Sequence, residues 1–330
     1  MKSISLFALF TVCSVTAIAQ NGVTHPPGYG LCLALNEAAI TLVASGHLDE
    51  AEASLTARAF ADERSQLVCR GQVLTNMARA MGLQGRIAEA ERLARDALRT
   101  LEKVYPPDDW ALLRPLQVIA VVRLEAGKTA AARSAVARIQ SIRIKDLDDA
   151  AIVHGVVGTL LHTEGRRSEA EAEYDSALRA LEERGRRDST DAATILTCLA
   201  ALYVAEGRFD ESRRILDRAL RIHDRAKDTL PMDYVKFFYL RGVFHIRAGE
   251  WQEAEEDLHH AISLADRQPY GAPAFLPTIL DNYSYVLRKN HRRQEAKVIK
   301  ARAAALPRDR TAAAIVDSSA LLVGKGTAKY

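Results

Sequence analysis

The sequence is poor both in residues that build sheets and in residues that interrupt helices. Aromatics make up 6% of the chain, and only 10 prolines and 18 glycines are spread over its 330 residues. Alanine, arginine, leucine and glutamate dominate instead, and these favour helices, whereas aromatic side chains favour strands. No stretch sustains a period of two in hydrophobicity, so no sheet is expected. No apolar run reaches the roughly 20 residues a helix needs to cross a bilayer, so no membrane span is expected. A charge imbalance is missing as well. The 45 basic residues are interleaved with 42 acidic ones, which argues against nucleic acid as a partner. There is no HExxH, no paired-cysteine motif and no Gly-x-Ser-x-Gly elbow. Gly127-Lys128-Thr129 has Val122 where a phosphate-binding loop needs its first glycine, and it joins two helical stretches rather than a strand to a helix. No catalytic residue, cofactor or metal is therefore expected.

What the chain does have is a recurring phrase. GHLDEA begins at Gly46, GRIAEA at Gly85, GKTAAA at Gly127, GRRSEA at Gly165, GRFDES at Gly207, GEWQEA at Gly249 and HRRQEA at His291. Self-similarity at a period of about 20 to 50 residues marks a stacked repeat rather than one globular core. Each anchor glycine falls between two helical stretches, where a left-handed connecting residue is needed. Seven residues before the anchors stand Ala39, Ala78, Ala120, Gly158, Ala200, Gly242 and Ser284, all small. Five residues after them stand Ala51, Ala90, Ala132, Ala170, Ser212, Ala254 and Ala296, again all small. A third column, twelve after the anchor, is alanine in five units, with Arg58 and Ile139 as exceptions. The coarse reading is fourteen helices. The first of each pair is placed at about 31–45, 67–84, 110–126, 148–164, 190–206, 232–248 and 274–289.

These columns resemble the tetratricopeptide repeat, in which a small residue on the first helix faces an alanine on the second, with a large apolar residue four further on. Leu55, Val136, Tyr174, Leu216 and Leu258 fill that last slot, while Ala94 and Lys300 depart from it. The wide period and segments such as LEKVYPPDDWALLRPLQVIAVVRLEAG look most like the longer, kinesin-light-chain-like class. The resemblance covers about 31–306. It implies an all-α, right-handed superhelical solenoid of about seven antiparallel helix pairs, a non-catalytic scaffold that binds a protein or an extended peptide. It further implies that residues 13, 10, 6 and 3 before each anchor face a concave groove. Those positions supply Asn36, Gln72, Thr75, Arg79, Arg114, Gln117, Thr159, His162, Thr194, Thr197, Lys236, Tyr239, Thr278, Asp281, Tyr285 and Arg288. A polar groove of this kind suits an extended peptide, whose backbone needs hydrogen-bond partners. The full Lys/Asn/Arg set with which some family members grip a terminal carboxylate is missing, so that activity is not carried over. The alternative is a small-ligand or regulatory sensor on the same repeats, which a deep pocket lined by Tyr239 and Tyr285 would favour.

The two ends fall outside the repeat. Met1 and Lys2, the apolar run Ile4–Val15 and the small residues Ala17-Ile18-Ala19 form a secretory signal peptide, 1–19, cleaved after Ala19. Phe10-Thr11-Val12 is a poor lead into a lipidated Cys13. A periplasmic or secreted protein is expected, with a short lead at 20–30. After Pro307 the pattern stops, and 307–330 is expected to cap the last pair or enter the groove before a disordered tail. Cys32 and Cys69 lie near the starts of adjacent first helices. An oxidising compartment permits a disulfide between them, whereas the usual 8–10 Å between helix axes suits two small buried hydrophobes better. Cys198 reads as inert packing. Between Tyr234 and Tyr285 ten aromatics gather, which suits either a wide-bodied core or a binding hot spot.

Overall fold

The structure, a computed structural model, describes residues 29–306 apart from 45–46, 56–61, 226–230, 268–272 and 274. The expected signal peptide, most of the lead, Gly46, Arg58 and the 307–330 segment lie outside the described residues. Among those described there are fourteen α-helices and no strand. They form seven pairs: α1 Tyr29–Ala44 with α2 Leu48–Ser54, α3 Glu63–Leu83 with α4 Ile87–Leu101, α5 Leu113–Glu125 with α6 Thr129–Gln140, and α7 Leu147–Thr163 with α8 Arg167–Glu183. The remaining pairs are α9 Thr190–Glu206 with α10 Phe209–Arg225, α11 Pro231–Ala248 with α12 Trp251–Asp266, and α13 Leu276–Lys289 with α14 Arg293–Ala305. No described helix is long and apolar enough to cross a membrane.

The anchors do what their position requires. Gly85, Gly127, Gly165, Gly207 and Gly249 all have φ between 67° and 79°. In each of these joints the next residue donates its N–H to a carbonyl five residues back, as in Arg86 to Met81 at 2.9 Å and Lys128 to Arg123 at 2.8 Å. This closes the helix as a Schellman motif. His291 takes the same role at φ 62° without being glycine, in a region where histidine is tolerated better than most side chains. Helix α3 starts earlier than expected because Asp62 accepts the Ser65 N–H at 2.7 Å and so caps the helix at Glu63. Helix α5 starts later: Asp109 caps a short 3-10 turn, Trp110–Leu112, ahead of it.

The small columns are the contacts within a pair. Ala39, Ala78, Ala120 and Ala200 are fully buried, as are Ala51, Ala90, Ala132, Ala170, Ser212 and Ala254 opposite them. The two columns touch: Ser212 Oγ donates to the Ala200 carbonyl and Ser284 Oγ to the Ala296 carbonyl. Glycine goes further. A Cβ on Gly158 would lie 2.8 Å from the Tyr174 ring, and one on Gly242 would lie 2.8 Å from Leu258 Cγ. The large slot nine after the anchor therefore sits against the small slot seven before it. Lys300 occupies that slot in the last pair, where no further pair follows among the described residues, and its ammonium pairs with Asp281.

Each first helix packs against the next first helix, and from the second pair onward each second helix packs against the following first helix. Neighbouring second helices make few or no close backbone contacts, so they splay outward and the first helices line the inside of the curve. A disulfide joins Cys32 on α1 to Cys69 on α3, with Cα atoms 5.5 Å apart. The side chains face each other across the contact, which brings the two backbones closer than the average axis spacing suggests.

Candidate inner-face binding groove

The polar side chains on the first helices divide into those held by their own helix, those already paired, and those left open. Thr159, Thr194 and Thr197 each donate to the carbonyl four residues back. Asn36 Oδ1 accepts from Asn76 Nδ2 at 2.8 Å. Gln72 is exposed beside the Cys32 sulfur, and Gln117 is half-buried. Two expectations need correcting. Thr75 is buried, with its hydroxyl turned back to the Gly71 carbonyl. Tyr239 is 4% exposed, and its phenol accepts from Asn282 Nδ2 at 3.1 Å. Both are packing residues: Thr75 is closed off against its own helix, and Tyr239 is turned toward the neighbouring first helix. Tyr285 is half-buried against Trp251, ring centroids 6.0 Å apart, with Arg288 and Lys289 over its face. Asp281 is held by Lys300.

Arg79 on α3 and Arg114 on α5 are open. Both are exposed and neither has an ion-pair partner among the described residues. Burial nevertheless holds the Arg114 guanidinium below its ordinary pKa; Arg79 adds to this, while Asp191 and Asp149 oppose it. The charged groups that act on Arg114 are Arg79 on α3, Asp149 on α7, Asp191 on α9 and Arg186 just before α9. The Asp149 carboxyl is itself raised by burial and by Asp146, against the pull of Lys145 and Arg114.

Deeper in the curve, Lys236 Nζ on α11 lies 3.5 Å from Glu125 Oε1 at the end of α5. Burial raises the Glu125 carboxyl, and Lys236 counteracts this. The Tyr174 phenol donates to Thr159 Oγ1 at 3.4 Å. The neighbouring Cys198 thiol is pushed up to about 11 by burial, far from reactive thiolate values. His162 is likewise shifted down by burial and by Arg167, against Glu206. Glu125, Asp149 and Asp191 were not picked out as groove residues in the sequence. Glu125 stands two residues before its anchor, a carboxylate in the apolar run VVRLEAG, and that was the one available signal.

The tetratricopeptide repeat profile matches residues 71–111 and 192–226, two stretches that cover most of the second and fifth units. The chain carries tetratricopeptide repeats. Among solved structures, a Rap protein complexed with competence and sporulation factor is similar over 81% of this chain and 69% of its own, at 18% identity and a TM-score of 0.59. BtubC (BKLC) from P. vanneervenii matches at 21% identity over 77% of this chain and 92% of its own, with a TM-score of 0.49. A tetratricopeptide repeat protein from Parabacteroides merdae ATCC 43184 matches at 18% identity over 88% and 98%, also at 0.49. A comparison with curated proteins finds no match. The family and the helical solenoid together describe a protein-interaction scaffold. In the sixth and seventh repeats Phe237, Phe238, Phe244, Phe275 and Tyr283 are all buried, so the aromatic cluster fills the core.

Proposed function

We propose that the chain is a non-catalytic scaffold that holds a protein segment or extended peptide on the inner face of its first helices, outside the cytoplasm. The observation that carries this is the pair of exposed arginines on adjacent first helices, Arg79 and Arg114, which have no ion-pair partner among the described residues, with the acids Asp149 and Asp191 on the next two first helices. A peptide chain offers carbonyls and carboxylates to the arginines and N–H groups to the acids, and it needs all of them satisfied. A Rap protein of this fold forms a complex with competence and sporulation factor; the proposal extends partner binding to this chain, not that partner. For location, the support is the leader at 1–19 together with the Cys32–Cys69 disulfide, a bond that persists in oxidising compartments.

The test is affinity capture from an envelope fraction with mass spectrometry, followed by calorimetry with the captured partner. The double variant Arg79→Ala with Arg114→Ala should melt like the parent and bind at least about tenfold more weakly, the scale of a hot-spot loss. A folded variant that keeps full affinity, while changes at Arg213 or Glu255 on second helices abolish it, would place binding elsewhere. Cell fractionation that finds the protein in the cytoplasm with its leader intact would end the proposal on location.

A further inference from the structure

The outward face of the second repeat carries a feature that the inner-face reading does not use. Helix α4 places Arg92, Arg95 and Arg99 on one side, at the i, i+3, i+7 spacing of a single helix face, and Lys103 continues the line just beyond the helix end. This cationic ridge is flanked by two crevices, where α4 stands apart from the second helices on either side. One, of about 450 Å³, lies between α4 and α6 over Leu98, Leu116, Ile119 and Ala135. The other, of about 370 Å³, lies between α2 and α4 over Leu55 and Leu74. Asp96 and Arg99 line both.

Charge on this face is not balanced. Arg92 has Glu52, and Asp96 is shared between Arg92 and Arg99. Arg138 has Glu102 at 2.7 Å and Arg123 has Glu91 at 2.9 Å. Among the described residues Arg95 reaches only the Glu91 main-chain carbonyl, at 3.4 Å. Arg70 and Lys103, on the rim of the smaller crevice, have no carboxylate partner among the described residues. The surplus is positive and sits between two crevices that have aliphatic side chains at the bottom and charged side chains along the walls.

We propose that this outer ridge is a second docking surface, for an acidic segment of another protein that sets aliphatic side chains into both crevices. A helix is about 10 Å across with its side chains. Two apolar residues four apart in an extended segment reach roughly 13 Å, enough to straddle it. Intervening carboxylates then lie over Arg95 and Arg99. Nucleic acid fits less well, since Glu52, Asp96 and Glu102 stand among the arginines and neither crevice is lined by an aromatic that could stack a base. This surface is independent of the inner-face reading and stands or falls without it.

The test uses the purified protein and a labelled peptide in which two leucines are separated by three glutamates, read by fluorescence anisotropy. Saturable binding that weakens with salt is expected. It should fall about tenfold when the leucines become serine, and by a similar factor in Arg95→Glu with Arg99→Glu. Ser134→Trp, which fills the larger crevice without changing charge, should also reduce binding, while Arg79→Ala with Arg114→Ala should not. The melting temperature of each variant shows whether its fold is intact. The proposal is overturned if the peptide does not bind, if the serine peptide binds equally well, or if folded Arg95→Glu/Arg99→Glu and Ser134→Trp variants both retain affinity. A DNA duplex or anionic vesicle that binds the ridge more tightly than the peptide overturns it too.

Discussion

Around α3 and α4 the core is aliphatic: Val73, Met77, Met81 and Leu93 are completely buried, and a disulfide ties this region to the helix before it. Around α10 to α13 there is no such bond, and the core is aromatic. Phe237 and Phe238 meet edge to face at 5.5 Å, and Phe209 meets Phe244 at 6.1 Å. Arginines close the gaps: Arg241 lies over the Phe238 ring while its guanidinium grips both oxygens of the buried Asp257. The first repeats thus restrict the unfolded chain, whereas the later ones gain contact area and charge-assisted hydrogen bonds in the folded one. The same backbone unit tolerates both because its small columns set the helix spacing independently of what fills the rest.

The largest effect should come from removing the covalent tie. With its ends 37 positions apart in the sequence, loop-closure entropy puts the loss in Cys32→Ser with Cys69→Ser at about 3–4 kcal/mol. Hydrogen exchange should show it in α1 to α4, with protection of α10 to α13 little changed. Uniform loss of protection along the chain would show that the halves do not differ in this way. Gly242→Leu attacks the other half. Its side chain meets Leu258 at once, and overpacking of this kind costs about 1–3 kcal/mol, so the denaturant midpoint should drop; an unchanged midpoint would undo the pairing of the two columns.

The smallest effect is one of pH. His223 is 2% exposed and faces Tyr234 and Phe237. Burial lowers its pKa, with Asp233 and Asp224 pulling the other way. A lowered histidine binds its proton later than the unfolded chain does. Its contribution to stability is therefore complete above the ordinary value near 6.5 and is lost as pH falls toward the folded value. Denaturant midpoints followed from pH 7.5 to 5 should decline in the parent and decline less in His223→Phe. Parallel curves would remove His223 from the account.

Most of the fold was legible because the small residues report directly on helix contact. The anchors placed every pair, and the ends of the first helices fell close to their observed positions. The misses share a cause: they depend on which way a side chain turns. Thr75 and Tyr239 hold groove positions in the register yet are buried, the first against its own helix and the second against the next. Lys236 and Glu125 meet across three repeats, and no spacing rule covers that distance. A charge column was also overlooked. The basic residue after an anchor reaches back to a glutamate in the preceding unit, as Lys128 does to Glu91, Arg208 to Glu171 and Arg292 to Glu255. Each of these glutamates stands six after its own anchor, so the column was visible in the repeat phrase, hidden only by attention to small residues.

Stacked repeats ordinarily hold only their neighbours and can come apart one at a time from either end. The Lys236–Glu125 contact changes that mechanics. It joins the sixth first helix to the third, so the fourth and fifth pairs lie inside a closed circuit rather than along an open row. Opening either of those two pairs therefore strains a contact that neither of them makes.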